Sequence, residues 1–255
     1  MQRRELLISK LRASGLHVCL SLLVATLVGV VVFFLWYPNP FGFASGGLNL
    51  FLLVTGVDLV LGPALTFVAF DPLKKARVML GDFFVIGLLQ ICALVYGVHA
   101  VFVSRPVAVV YEGMRFRVVC AAEISEADLK KAPKGLSTFS LTGPTIIGTR
   151  ELSQKEQGDA IFQALEGRDI GMRPELWTSY KETQSRIKQD AKPIKLLLDR
   201  YPSSQAAIDD IAKKGKVETA QLGFYPVISK QGFFTLLVNR NNGDFIDYIM
   251  LDGSL

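Results

Sequence analysis

The sequence predicts a three-helix transmembrane bundle followed by an extracytoplasmic α+β domain, with an N-terminal β-hairpin, several helices and a C-terminal antiparallel meander. Three observations carry this. First, Leu16–Tyr37, Leu48–Phe70 and Phe83–Val103 are apolar runs of about 20 residues, the length that crosses the hydrocarbon core of a bilayer. Second, the composition after Arg105 turns ordinary and charged, with β-rich runs at both ends of a helical middle. Third, seven of the eight basic residues of 1–105 flank the spans on one side, with Arg105 alone on the other, which gives the chain an orientation. A length of 255 residues accommodates two domains. The expected division is a membrane domain over 1–105, with spans near 16–37, 48–70 and 83–103, and a second domain over 106–255.

Charge supports the same division. Residues 1–105 hold 8 Lys+Arg against 4 Asp+Glu, and residues 106–255 hold 20 against 19. The net charge of +5 therefore belongs to the membrane part, and nothing in it argues for a nucleic-acid partner. Arg3, Arg4, Lys10 and Arg12 precede the first span, and Lys74, Lys75 and Arg77 lie between the second and third. The connection Pro38–Gly47 carries no charge. An excess of Lys and Arg marks the cytoplasmic side, so the N-terminus is expected there and the C-terminal half on the far side. Trp36-Tyr37-Pro38 stands where a cleavable signal would need small residues, so the first span reads as an uncleaved anchor.

Along the chain, the first span carries His17, Ser21, Ala25 and Gly29 at i+4 spacing, a small or polar stripe suited to close helix packing in lipid. The loop Pro38–Gly47 has the Pro, Asn and Gly of a turn, and Phe41 and Phe43 in it are expected to meet the membrane surface or a partner. A basic link, Asp71–Asp82, joins spans two and three. Pro106–Glu112 and Arg115–Cys120 read as a hairpin. Helices are expected from Ser125 to near Ala132, Ser153 to Glu166, Pro174 to about Asp190, Pro193 to Arg200 and Ser204 to Lys214, with one short strand at Thr145–Gly148. Thr219–Ile228, Gly232–Val238 and Phe245–Leu251 complete a meander joined by hairpin-like turns.

The second span holds the most informative residues. Thr55, Asp58, Gly62 and Thr66 lie on one helix face, and Pro63 removes a backbone donor and kinks the helix one turn from Asp58. A carboxylate within an apolar span is costly and is a functional candidate by default. Two readings stay open: a hydrogen-bonded element that fixes helix pairing, and a group facing a partner helix or a cavity. Gln90 in the third span is the natural partner for Asp58, although depths counted from the apolar runs differ by roughly five residues, about 8 Å at helical rise. His17 near the cytoplasmic end reads as an interfacial, hydrogen-bonded histidine.

Sets that carry chemistry are missing from the sequence. His17 and His99 both precede the second half, which removes Ser-His and Cys-His catalysis there. The motifs HExxH, CxxC, GxGxxG and the P-loop do not occur. The three cysteines, Cys19, Cys92 and Cys120, give no disulfide framework and read as packing thiols. No metal or cofactor is expected, and a binding or assembly role is favoured over catalysis.

The membrane part resembles the type IV pilin accessory proteins of the TfpX/TfpZ family. The likeness rests on Lys10-Leu-Arg-Ala-Ser-Gly-Leu-His17, Trp36-Tyr-Pro-Asn-Pro40 and Val57-Asp-Leu-Val-Leu-Gly-Pro-Ala-Leu-Thr66, leading to Phe70-Asp-Pro-Leu-Lys-Lys75. It continues through Tyr96-Gly-Val-His99, Arg105–Glu112 and Arg115–Val119, and returns at Gly223-Phe-Tyr-Pro-Val227 and the closing strands. The resemblance implies a non-catalytic bacterial inner-membrane protein with a periplasmic domain, which assists assembly of a cognate type IV pilin. The implied partners are the pilin's transmembrane helix and globular head, the inner-membrane assembly platform and the surrounding lipid. The residues expected to bind the partner helix are Thr55, Asp58, Gly62, Pro63 and Thr66, with His17 and Gln90. The competing classes are a membrane-anchored ligand sensor, and a proton-coupled carrier or intramembrane enzyme using Asp58. The lack of an inverted repeat and of a cytoplasmic output domain weighs against them.

Overall fold

The computed structural model describes residues 3–254, and these divide into two compact units: 3–36 with 47–103, and 37–46 with 104–254. The chain thus passes from one unit to the other three times, once after each of the first and third long helices and once on its return into the second.

The first unit consists of three helices long and apolar enough to cross a membrane. Helix α1 spans Arg3–Val31 and continues as a π-helical turn, Val32–Trp36, before Pro38 ends it. Helix α3, Gly47–Ala69, contains Pro63, and helix α4 runs Ala76–Val103. α3 is the central member and packs against both α1 and α4. Small residues set the close approaches: Gly29 faces the Phe51 ring, and a Cβ on Gly97 would collide with Val54. Such contacts substitute for the hydrophobic effect, which gives no drive between helices in lipid. Aromatic edges add to them, with Phe33 against Phe51 at 5.3 Å and Trp36 against Phe102 at 4.9 Å.

The second unit is built on a mixed sheet covered on both faces. Its strands are β1 Pro106–Tyr111, β2 Phe116–Cys120, β3 Thr145–Thr149, β4 Trp177–Ser179, β5 Lys192–Pro193, β6 Leu222–Ser229, β7 Gly232–Asn239 and β8 Phe245–Ile249. They lie in the order β4-β3-β1-β2-β6-β7-β8, with β5 paired to β6. β1 with β2, β6 with β7 and β7 with β8 are antiparallel pairs, whereas β1 with β3 and β2 with β6 are parallel.

Side chains on this sheet alternate between two cores, as the pleat demands. Val109, Tyr111, Phe116, Val118, Tyr225, Val227, Phe234, Leu236 and Val238 face one side, where Ile187 and Ala191 cover them from helix α7, Tyr180–Asp190, and its C-terminal end. Leu222, Phe224 and Leu237 face the other, under Ile194 and Leu197 of α8 (Ile194–Arg200) and Ile208 and Ala212 of α9 (Gln205–Lys214). Ala108, Val110, Val119, Ile147 and Trp177 form a neighbouring cluster. Burial on both faces explains why these strands read as near-continuous apolar runs without alternation.

Several expectations change. The loop after α1 is a short helix, α2 Phe41–Ala44, whose Phe41 and Ala44 are buried in the α7-side core. Phe41 meets Phe234 at 6.0 Å and Tyr248 at 5.3 Å, edge-on, and Gln231 donates its backbone N–H to the Ala44 carbonyl at 3.0 Å. Phe43 stays exposed. The expectation that both Phe side chains meet membrane or a partner therefore fails for Phe41, because burying a phenyl ring in a core outweighs its place in a turn-rich segment. The link between spans two and three is shorter than 71–82, since α4 starts at Ala76. The helix expected from Pro174 is split: Pro174–Leu176 is a 3₁₀ turn, Trp177–Ser179 pairs with β3, and Ser179 then caps α7 through the Glu182 N–H. The Ser125 and Ser153 caps form, opening α5 (Glu126–Leu129) and α6 (Gln154–Leu165).

Candidate functional site

Polar residues of the three apolar helices meet across them along the Asp58–Thr66 stretch of α3. Asp58 is the middle residue of α3, and Gln90 lies at the middle of α4. Gln90 Nε2 donates to Asp58 Oδ1 at 2.9 Å. The depth mismatch expected from the apolar runs disappears because α4 begins seven residues before the run at Phe83, which recentres Gln90.

One turn further along α3, Gly62 makes room for two side chains from different helices. A Cβ there would collide with Gln90 Nε2 and would lie 2.7 Å from His17 Nε2. His17 Nδ1 is 2.7 Å from Thr66 Oγ1, and Thr66 is almost wholly buried. Ser14 Oγ donates to the Pro63 carbonyl at 2.8 Å, tying α1 to the proline turn. A proline inside a helix disturbs backbone pairing, and neighbouring helices supply replacement partners in a dry environment. Thr55 stands apart: its hydroxyl returns to the Phe51 carbonyl at 2.8 Å within α3.

The candidate residues therefore separate into two groups. Gly62, Pro63, Thr66 and His17 join α1, α3 and α4 to one another. Asp58 and Gln90 also join helices, yet both line a groove of about 570 Å³ along α3 and α4. The groove is otherwise walled by Leu53, Val57, Leu61, Leu89 and Leu94, and its small residues are Ala93, Gly97 and Ala100. A narrower cleft of about 230 Å³ reaches Asp58 and Gln90 from the α1 side, past His17 and Ser21. Ser21 is buried in the stripe read from the sequence.

The second unit contains a charged network that the sequence did not single out. Glu112, with its side chain 3% exposed, accepts from Arg115 Nε at 2.7 Å, Arg117 Nε at 3.2 Å and the Gly171 N–H at 2.8 Å. Asp169 pairs with both arginines. Four charges and a backbone donor thus pin the turn at 169–172 to the β1–β2 end. A nearly buried carboxylate needs such partners, since removing them leaves an uncompensated charge. The only signal for this set was the alternation of Arg115 and Arg117 after Glu112. Cys120 is buried beside Glu123, and burial first, then that carboxylate, push its thiol up to about 12, which makes it a poor nucleophile. Among the described residues no three His, Cys, Asp or Glu side chains gather into a set that could hold a metal ion.

Three helices long and apolar enough to cross a membrane, with a hydrogen-bonded Asp–Gln pair at their middle, followed by a mixed-sheet domain, mark a membrane-anchored protein with a second folded unit. The profile of the fimbrial assembly protein FimB matches residues 5–46. A fimbrial assembly protein of serogroup I from Dichelobacter nodosus is 30% identical over 243 residues, covering 94% of this chain and 95% of the relative. The serogroup E1 protein of the same organism is 28% identical over 243 residues, at 94% and 95% coverage. A fimbrial assembly protein of serogroups C1 and C2 is 38% identical over 121 residues, or 48% of this chain and 92% of its own length. The chain belongs to this fimbrial assembly protein family, in keeping with the resemblance read from its motifs. No solved structure matches it.

Proposed function

We propose that this chain is a non-catalytic accessory protein of the bacterial inner membrane that helps assemble a cognate type IV pilin. In this reading the pilin's transmembrane helix docks along the α3–α4 groove, and the second unit meets the pilin head in the periplasm. The observation that carries it is the groove itself: an apolar groove along two membrane-length helices, lined by the small residues Ala93 and Ala100 and by Asp58 and Gln90. Small residues let a further helix approach closely, and a polar pair at mid-depth supplies orientation. The relatives' printed role in fimbrial assembly favours a pilus subunit as the occupant.

This reading narrows the docking face expected from sequence. Gly62, Thr66 and His17 act by holding α1, α3 and α4 together, while Asp58 and Gln90 address the occupant. Contacts with the assembly platform would lie elsewhere on the molecule.

The test uses cysteine cross-linking in membranes. Leu53→Cys or Leu89→Cys, paired with cysteines along the pilin span, is expected to give cross-links with helical periodicity. Deleting the gene is expected to abolish surface pili while pilin is still made. Cross-links absent from every groove position, with pili intact in the deletion strain, would refute the proposal.

A further inference from the structure

Helix α6 turns its apolar side away from its own unit. Ala160 is its buried residue, whereas Ile161, Phe162 and Leu165 are 66%, 70% and 81% exposed. At about 100° per residue these three cluster on one side of the helix, roughly 150° from Ala160. A surface helix ordinarily points such a stripe at the core. The helix itself is well made: Ser153 and Glu156 form its capping box, and Arg150 donates to Glu156 at 2.6 Å. Gly158 lies on the same side as the three apolar residues, and a Cβ there would meet nothing within 4 Å. A contiguous exposed apolar side of this kind marks an interaction surface.

The charges beside it point to what covers it. By the same helical geometry Lys155, Asp159 and Glu166 border one edge of the apolar side, and the other edge, Gln157 and Ala164, is uncharged. Lys155 and Glu166 are exposed and, among the described residues, unpaired. A helix that lies on lipid has a polar face rich in Lys and Arg, and this border carries more acid than base, so a membrane surface is a poor match. A second copy of the same helix is a good one. We infer that two copies of this chain pair through α6, face to face and antiparallel about a two-fold axis near residues 160–161. That symmetry keeps the charged edges on one side and sets Lys155 of each copy against Glu166 of the other. The Ile161 side chains meet across the axis, and each Leu165 projects toward the space left by Gly158 of the other copy. Two helices of this length cover less than the ~1,000 Å² of a stable soluble complex. Anchoring both copies in one bilayer raises their effective concentration, so the pairing belongs to the membrane-bound protein. The inference does not depend on what occupies the α3–α4 groove.

The experiment uses the full-length chain with Cys19→Ala and Cys92→Ala, reconstituted in phosphatidylcholine vesicles and oxidised with copper phenanthroline; Cys120 is buried. Ile161→Cys is expected to give a disulfide-linked dimer. Lys155→Cys is not, because antiparallel packing holds its two copies about 16 Å apart along the helix axis. A mixture of Lys155→Cys and Glu166→Cys chains is expected to give the mixed dimer. Lys155→Glu in the Ile161→Cys chain should cut the yield about fivefold, the effect of replacing two exposed ion pairs by like charges. Adding Glu166→Lys reverses both charges, keeps them complementary and should restore the yield. No dimer from Ile161→Cys, an equal dimer from Lys155→Cys, or a double charge reversal that fails to restore the yield would overturn the inference. So would quenching of a fluorophore at Phe162→Cys by brominated lipid, which assigns α6 to the membrane surface. In cells, cross-linking of Ile161→Cys to pilin in place of a second copy would overturn it as well.

Discussion

A methyl group at Gly62 would need space that Gln90 and His17 already fill, so the absence of a side chain there is what lets three helices meet at that point. Gly56, six residues earlier on α3, meets nothing within 4 Å at the same position. The two glycines give a matched pair for measurement. Gly62→Val is expected to destabilise the helical unit by about 1–3 kcal/mol, the usual cost of overpacking, and Gly56→Val to change it little. Unfolding in mixed detergent micelles, followed by the loss of an α1–α3 cross-link, reads both. Equal effects would mean that the Gly62 contacts carry no weight. The types of these residues were legible in the sequence, since a carboxylate, a proline and a glycine in an apolar span draw attention to themselves. Their partners were only partly legible. Gln90 is identifiable from sequence, but apolar-run limits misplace its depth because α4 extends past them. The use of Gly62 to admit His17 depends on a neighbouring helix that local spacing does not describe.

At the scale of elements, α2 is the least expected piece. Its four residues, Phe41–Ala44, lie between two spans, and Phe41 is 2% exposed in a core made by strands that begin after residue 105. Phe41→Ala is expected to cost the second unit about 3–5 kcal/mol, as for other buried phenylalanines. Trp177, buried in that unit, reports its unfolding by fluorescence once Trp36→Phe removes the other tryptophan. An unchanged midpoint would place Phe41 outside the cooperative core. The sequence showed two phenylalanines in a charge-free, turn-rich loop; that they differ in fate follows from β7 and β8, far along the chain. Short strands β4 and β5 escaped notice for the same reason. Three residues and two residues have no periodicity to read, and only their pairing with β3 and β6 makes them strands. The two parallel pairings, β1 with β3 and β2 with β6, likewise join segments that no local turn connects. Capped helices such as α6 were readable because Ser153 and Glu156 satisfy each other's backbone donors within four residues.

For the whole molecule, orientation is the property with the clearest sequence basis and a direct check. Basic residues cluster before α1 and between α3 and α4, and the proposed orientation puts them in the cytoplasm. The native cysteines leave a quiet background: Cys19 and Cys92 sit on apolar helices, and the Cys120 thiol is buried and held up to about 12. In spheroplasts, a membrane-impermeant maleimide is expected to label Phe43→Cys directly and Leu73→Cys only after lysis, since both positions are exposed. The opposite pattern would invert the topology. Synthesis order makes the α2 arrangement consequential in another way. Phe41 leaves the ribosome early, while β7 and β8, against which it packs, come close to the end of the chain. At ~5–20 residues per second the two are separated by on the order of ten seconds or more. Throughout that interval the phenyl ring has no home, and the nascent chain must carry it unburied. A ribosome that stops short of β7 thus releases a product whose Phe41 lacks the rings of Phe234 and Tyr248.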